Sequence, residues 1–273
     1  MRKIFIINAL AFALLSTTTF AKTADELLAS GTLEEQGYAI VKEADDRDFG
    51  FGGYEVSALM ELKNAHGQTS TRQMRNRIFE MADASVGDKS MIIFDMPHDI
   101  RGSAFLTFSK ILEADDQWMY LPKIGKVKRI SSKNKSGPFM GSEFAYEDIS
   151  SPEVGKFTYK YLGKEACDNG MECLMVERYP LYEHSGYTKE IVWYDTNEFR
   201  FWRVDSYDRK GALMKTMNID GYKQYLNKYW RADVYEINNH QTKKSTILTW
   251  DNYDFKTGFK ENDFRKSDLK NAR

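Results

Sequence analysis

Apolar and polar residues alternate with a period of two along most of the chain after residue 53. The alternation is clear over 54–62 and 157–161, and turn residues such as those at 64–67 separate the alternating segments. A period of two is the spacing of a β-strand with one buried face. Short strands separated by turns predict an antiparallel meander. Long helical segments do not alternate with these strands, which argues against a doubly wound α/β fold.

The predicted strands continue almost to the end of the chain. They cover residues 54–62, 72–79, 91–96, 104–108, 118–121, 157–161, 173–178, 187–194, 198–207, 213–219, 230–237 and 242–250, with a basic strand and loop after 125. The prediction is therefore a mainly β protein in which the strands follow one another along the chain.

Two helical segments precede the strands. Thr23 with Glu26, and Thr32 with Glu35, have the spacing of a capping box, in which a threonine and a glutamate three residues later cap the start of a helix. The acidic run at 45–48 ends the second helix. This helix either packs plainly on the sheet or lies over the mouth of a larger structure. Its narrow apolar face consists of Leu33, Ile40, Val41 and Ala44.

Three architectures fit a meander of this length. Arginine and lysine recur among the strands, which excludes an outer-membrane barrel with an apolar outer surface. A β-sandwich remains possible. Because helices come first and an unbroken series of strands follows, we favour a half-open, strongly curved antiparallel sheet, an incomplete barrel, with the N-terminal helices on or over its concave face. Aromatic residues form 14% of the chain and suit both a core and an open concave surface.

The first 21 residues have the pattern of a secretory signal peptide. Arg2 and Lys3 precede an apolar run at 4–15, and small residues follow at 19–21. We expect cleavage after residue 21 and a single domain over 22–273, soluble in the periplasm of a Gram-negative bacterium. The residue directly after the expected cleavage position is not a cysteine, so we expect no lipid anchor on the protein itself.

The charge balance argues against one class of function, and the two cysteines indicate the compartment. With 39 Lys and Arg against 40 Asp and Glu, the chain gives no general case for nucleic-acid binding. Cys167 and Cys173 flank the turn residues 168–170, which predicts a disulfide that closes a hairpin in an oxidising compartment. A redox-active pair is the alternative, although the spacing is not C-x-x-C.

We find no motif that predicts catalysis. His66, His98, His184 and His240 have no partner at metal-ligand spacing, and no phosphate-binding glycine loop or G-x-S-x-G motif occurs. We therefore predict a protein that is not an enzyme and has no metal or cofactor. A secreted hydrolase with a site built from distant residues stays open as an alternative, because a spatial triad leaves no sequence pattern.

The stretch from 115 to 150 combines aromatic and basic residues more densely than any other part of the chain. It begins with the acidic pair at 115–116, which we interpret as a solvated turn. Its basic run is either a solvated loop at a sheet edge or a surface for acidic headgroups or an acidic partner. That run consists of Lys123, Lys126, Lys128, Arg129, Lys133 and Lys135.

The same stretch resembles a known family. W-x-Y-L-P at 118–122, K-x-x-R-I at 126–130 and F-M-G-S-x-F-x-Y-E-D at 139–148 resemble, in this order, segments of the outer-membrane lipoprotein-sorting proteins, the LolA-like proteins of the bacterial periplasm. The similarity continues through the cysteine region and the strands at 191–194 and 199–204. It covers most of the chain after residue 21.

The resemblance implies a half-open β-barrel with a hydrophobic cavity that carries acyl chains of lipoproteins or lipids between membranes. It implies transient contact with membranes, and an inner-membrane RND-type exporter or lipoprotein release complex as partner. The alternative is a lipid-sensing or exporter-docking module without transport. Arg47 is the candidate for the arginine that latches the helical lid. Lys126, Lys128 and Arg129 are the predicted headgroup or partner contacts. The predicted cavity residues are Phe105, Trp118, Tyr120, Phe139, Met140, Phe144, Tyr146, Trp193, Phe201 and Trp202.

Overall fold

The computed structural model describes residues 21–151, 153–167 and 170–272. The predicted signal peptide lies outside these residues except for its last position, and so do two of the predicted turn residues between the cysteines. Within this range the protein is mainly β, with two helices at the start. No helix among the described residues is both long enough and apolar enough to cross a membrane.

Both predicted helices form, and local capping explains where they begin. Helix α1 spans Ala24–Leu28 and helix α2 spans Leu33–Asp48. Thr23 and Thr32 each accept a hydrogen bond from the backbone of the glutamate three residues later, and each glutamate side chain accepts one in return. The predicted capping boxes are therefore confirmed.

The strands follow the predicted order with some changes of length. They are β1 Gly53–Lys63, β2 Thr69–Phe79, β3 Lys89–Met96, β4 Ala104–Phe108, β5 Asp116–Leu121, β6 Lys126–Arg129, β7 Phe157–Ala166, β8 Glu172–Pro180, β9 Tyr187–Asp195, β10 Phe201–Asp208, β11 Leu213–Asp220, β12 Lys223–Tyr225, β13 Tyr229–Arg231, β14 Val234–Asn239 and β15 Ser245–Asp254. The single strand predicted at 230–237 is wrong. The chain forms a small β12–β13 hairpin first and starts β14 afterwards.

Thirteen strands form one antiparallel sheet that does not close into a barrel, as predicted. Its order is β6-β5-β4-β3-β2-β1-β15-β14-β11-β10-β9-β8-β7. A simple meander from one edge to the other is wrong, because β1 pairs with β15 in the interior of the sheet. The sheet therefore consists of a first half, β1–β6, and a second half, β7–β11 with β14 and β15. The two edge strands, β6 and β7, are consecutive in the chain.

The concave face carries two apolar clusters, one in each half. The first concave cluster contains Met60, Phe94, Phe105 and Leu248, and the second contains Leu174, Val192 and Val204. Met217 and Tyr235 contact both clusters, so the apolar surface is continuous across the sheet.

The C-terminal segment after β15 covers the convex face of the first half. Phe264 and Leu269 are almost fully buried there against Met91 and Leu106. This cover was not predicted, because residues 255–272 show no strand or helix periodicity. It leaves the concave face as the surface on which function can be sought.

Candidate functional site

A segment without strands leads from the edge strand β6 to the other edge strand, β7. We call residues 130–156 the cover segment. It runs over the concave face of the first half as a series of short 3₁₀ turns. Phe139 and Phe144 of this segment are 0% and 4% exposed within the first concave cluster. Residues 139–146 therefore lie against the apolar face of the first half.

Aromatic contacts hold the cover segment on the first half. The ring of Phe139 lies 5.1 Å from that of Phe105, 5.5 Å from Tyr146 and 5.9 Å from Phe94. Such pairs add to the stabilisation that comes from burying apolar area. Half of the predicted cavity residues meet in this cluster, namely Phe105, Phe139, Met140, Phe144 and Tyr146.

Acidic residues of the same motif bind the second half. Glu147 accepts hydrogen bonds from Tyr182 Oη at 2.9 Å, Ser185 Oγ at 2.8 Å and the Gly186 backbone nitrogen at 2.8 Å. Burial raises the pKa of Glu147, and the neighbouring Asp148 carboxylate raises it further. Three donors in the loop between β8 and β9 thus bind this one carboxylate.

The next residue, Asp148, is anchored by two strands of the second half. It accepts hydrogen bonds from Tyr187 Oη at 2.8 Å and Lys215 Nζ at 2.5 Å. Lys215 also donates to the Glu143 carbonyl at 3.0 Å, and Asn239 Nδ2 donates to the Glu143 carboxylate at 2.6 Å. The F-M-G-S-x-F-x-Y-E-D motif therefore packs its aromatic residues on the first half and ties its acidic residues to the second.

A buried ion pair fixes the C-terminal end of the cover segment. Lys156 Nζ lies 2.5 Å from Asp115 Oδ1, and both side chains are less than a tenth exposed. Lys135 is buried beside them and donates to the Asp115 carbonyl, and burial lowers its pKa. The prediction of a solvated turn at 115–116 and of an exposed Lys135 is wrong, because the tertiary fold places these charges opposite one another.

Helix α2 covers the concave face of the second half. Ile40 and Val41 are buried in the second concave cluster, whereas Leu33 is 47% exposed. A Cβ atom at Gly37 would lie 2.8 Å from the backbone nitrogens of both Lys160 and Tyr161 on β7. Such a distance is shorter than real Cβ contacts, so glycine is what allows this close approach.

Arg47, near the end of helix α2, ties the helix to the sheet. It donates to the carbonyls of Asn197 and Lys22, both at 2.8 Å, and its guanidinium lies 4.6 Å from the ring centre of Phe199. The same side chain pairs with Glu43 at 2.9 Å. Its position is that of a tie between the helix and the β9–β10 turn.

The other predicted cavity residues do not join the first concave cluster. Phe201 contacts the second cluster. Trp118 and Tyr120 pack on the convex face against the C-terminal segment, and Trp193 and Trp202 pack with the disulfide on the convex face of the second half. The register explains this, because Trp118 pairs with Leu106 whereas Phe105 pairs with Met119. Neighbouring residues along a strand point to opposite faces.

The predicted disulfide and basic edge are both present. Cys167 and Cys173 are bonded, with Cα atoms 5.6 Å apart, and they bridge the ends of β7 and β8. Lys126 and Lys128 are exposed on the edge strand β6 and form no salt bridge within the described part of the chain, whereas Arg129 pairs with Asp116.

One polar contact bears on the hydrolase alternative. The Thr216 hydroxyl donates to Asp205 at 2.7 Å and lies 2.9 Å from His240 Nε2. In a hydrolytic triad the imidazole lies between the nucleophile and the acid, whereas here the hydroxyl lies between the acid and the imidazole. Within residues 21–151, 153–167 and 170–272, no group of three His, Cys, Asp or Glu side chains is arranged to hold a metal ion.

Comparison with known proteins agrees with this geometry. A family model described as "Uncharacterized protein" matches residues 87–271. A structure from Vibrio parahaemolyticus, described as an outer membrane lipoprotein-sorting protein domain, is 49% identical, with 87% of this chain and 99% of that chain covered and a TM-score of 0.84. The chain belongs to this LolA-like family. No curated protein matches it.

Two further structures share the LolA-like fold. A DUF1329 family protein from Desulfovibrio piger is 26% identical, with 88% of this chain and 100% of that chain covered and a TM-score of 0.82. A LolA superfamily protein from Nitrosomonas europaea has a TM-score of 0.67 at 18% identity, with 87% and 99% covered. At that identity the second similarity shows the fold alone.

Sequence reasoning did not find the partners of the motif's acidic residues. Glu147 and Asp148 belong to the motif, but their partners Tyr182, Tyr187 and Lys215 lie 35 to 67 residues away on other elements. The only local signal was that two acidic residues end an otherwise aromatic motif. The strand pairing had to be known before their partners were visible.

Proposed function

We propose that this LolA-like protein carries acyl chains of lipoproteins or lipids on its concave face and passes them between membranes. The observation that supports this most is how the apolar face is covered. Apart from the small β12–β13 hairpin, the described part of the chain contains no second sheet that could pack on it. Helix α2 and the cover segment lie on it instead, and polar contacts hold both of them at their ends.

The physical need for such a carrier follows from the cost of exposing an acyl chain. Each methylene kept from water is worth about 0.8 kcal/mol, so a long chain does not cross water unaided at a useful rate. Phe139 and Ile40 now occupy the concave face, both at 0% exposure. An acyl chain would take their place when the cover segment or the helix moves away, as lids do in other proteins.

We place this activity in the periplasm. The signal-peptide pattern over 1–21, the disulfide and the LolA-like relatives support export, with residues 22–273 acting as one half-barrel domain. Cargo would be received at one membrane and delivered at the other through transient contact with each surface. An RND-type exporter or a lipoprotein release complex in the inner membrane is the proposed partner.

The exposed edge strand β6 supports a second candidate function. Lys126 and Lys128 are exposed on this edge strand, and an edge strand presents one row of backbone groups that no neighbouring strand of the sheet binds. A lipid-sensing or exporter-docking module would use this edge to bind an acidic partner strand and would not transfer cargo. Lysines also protect edge strands from unwanted pairing, which weakens this second reading.

A reversible staple on the cover segment tests the carrier function. A Cβ atom at Gly186 would lie 2.9 Å from Ser136 Cβ, so Ser136→Cys with Gly186→Cys can form a disulfide after a shift of about an ångström. We expect the oxidised double variant to capture a synthetic triacylated lipopeptide at least tenfold less than the reduced one, measured by native mass spectrometry.

The controls separate the staple from the native disulfide. The wild type and the two single variants receive the same oxidation and reduction, since Cys167–Cys173 is reduced as well. Equal capture by the stapled and reduced double variant would argue that the cover segment does not gate the concave face. Absence of any lipopeptide capture, together with partner binding through β6, would favour the docking module.

A further inference from the structure

A polar cavity opens beside the cover segment, where the turns after β1 and before β15 come together. Its volume is about 510 Å³, and its charged wall includes Lys63, Arg72, Glu143 and Lys244. A neighbouring cavity of about 320 Å³ shares Lys63 and Lys244 and adds His240 and Lys243 to the wall. This basic surface is separate from the predicted one on β6.

In the described part of the chain, positive charges outnumber negative ones around the larger cavity. Lys63, Arg72 and Lys244 form no salt bridge among the described residues, whereas the one acid in the wall, Glu143, is held by Asn239 Nδ2 at 2.6 Å. Hydroxyl groups of Thr69, Ser70, Ser245 and Thr246 also line it. Three cations and several hydroxyl donors around an open space suit an anion with more than one oxygen.

Arg72 has unused hydrogen-bonding capacity at this place. Its Nη1 atom donates to the Thr71 carbonyl at 2.9 Å, and its buried Nε atom has no partner in the part of the chain that the structure describes. A guanidinium has five N–H donors in a planar fork that matches carboxylate and phosphate oxygens.

The cavity is joined to the apolar interior. Leu62 lines the cavity and also packs in the first concave cluster. Gly141 of the cover segment lines it too, and a Cβ atom there would lie 3.9 Å from Leu62 Cδ2. One of these two residues, Gly141, therefore belongs to the segment that we expect to move when cargo binds.

We propose that this cavity binds a phosphate group. Phosphate offers three or four oxygens and one to two negative charges, which fit three cations opposed by one held carboxylate. In a lipid cargo the phosphate would sit in the cavity and the acyl chains would run under the cover segment along the concave face. The lipid form of the ligand rests on the proposed carrier function, whereas the phosphate site itself does not.

Titration with inorganic phosphate tests the site directly. We expect the full chain after residue 21 to bind phosphate by NMR or calorimetry, and the variant Lys63→Gln, Arg72→Gln, Lys244→Gln to bind it at least tenfold more weakly. The matched control is Lys256→Gln, Lys260→Gln, Lys270→Gln, which removes the same charge from exposed positions on the C-terminal segment. A wild type that binds no phosphate, or an equal loss in both variants, overturns the proposal.

A pair of lipids with the same chains separates the two sources of phosphate. Dihexanoyl phosphatidic acid should bind the wild type at least tenfold more tightly than dihexanoylglycerol, and the cavity variant should lose only this advantage. Equal binding of both lipids by the wild type overturns the headgroup site and leaves the carrier function standing. Binding of inorganic phosphate without either lipid supports the site, assigns it to free phosphate and counts against the carrier.

Discussion

Several carboxyl groups at one end of the sheet are buried or half-buried, and their surroundings differ. Asp115 pairs with Lys156, whereas Glu153 nearby is half-buried and forms no salt bridge among the described residues. Burial raises the pKa of Glu153 to about 7, and the charges of Lys156 and Asp88 act on it in opposite directions. Burial also raises the pKa of Asp88, to about 6. These two groups therefore destabilise the folded protein more when they are ionised than when they are protonated.

The direction in which pH changes stability follows from the protonation of Glu153 in the folded and the unfolded protein. Between about pH 4.5 and 7 the unfolded chain ionises Glu153 while the folded protein keeps it protonated, so stability falls as the pH rises through this range. Above this pH range Glu153 is ionised in both states, so its unfavourable contribution to stability stays constant. We expect Glu153→Gln to raise the free energy of unfolding by about 2 kcal/mol at pH 8 and to have little effect at pH 4.5.

Urea unfolding at both pH values measures this, and Glu113→Gln is the control. Glu113 is exposed in a nearby loop, so its replacement should leave the free energy of unfolding unchanged at either pH. A gain from Glu153→Gln that is the same at pH 8 and pH 4.5 would show that burial of its charge is not the cause.

At the scale of elements, helix α2 depends on one close approach to the sheet. Gly37 lies against the backbone of β7, where nothing can move aside as a flexible side chain would. In an exposed helix, Gly→Ala stabilises by about 1 kcal/mol through helix propensity. Here the added methyl group has to push the helix away from the second concave cluster.

We therefore expect Gly37→Ala to lower the free energy of unfolding by about 2 kcal/mol, the opposite sign from helix propensity. Urea unfolding gives the sign, and hydrogen exchange over residues 33–48 should become faster because the helix is less tightly docked. An increase in stability would mean that the helix is not held at this distance in solution.

For the whole molecule, the two faces of the sheet have different covers with different purposes. The C-terminal segment covers the convex face with Phe264, and the cover segment covers the concave face with Phe139. Both rings are almost fully buried. Among the described residues, only the concave cover has polar contacts to the opposite half of the sheet, and the proposed function requires this cover to move.

Replacing each ring by alanine separates these purposes. Phe139→Ala and Phe264→Ala should each lower the free energy of unfolding by about 3 to 4 kcal/mol, as large-to-small core substitutions do. Only Phe139→Ala makes room on the concave face, so only this variant should bind a fluorescent fatty acid several-fold more tightly than the wild type. Equal gains in both variants would place the acyl site elsewhere.

The amino-acid sequence by itself determined most of the elements. The capping boxes at Thr23 and Thr32, the alternation in β1 and the disulfide between Cys167 and Cys173 depend on residues close together in the chain, and each is present. The family motif at 139–148 was visible for the same reason, since its aromatic and acidic residues lie within ten positions.

Only the tertiary structure decided how these elements combine. The pairing of β1 with β15, the convex position of Trp118 and the contact between Asp148 and Lys215 all join residues from different elements. Alternation shows that a strand has two faces but not which one is concave, because both carry aromatic residues. Strand register and pairing settle that choice, and they arise from packing over the whole sheet.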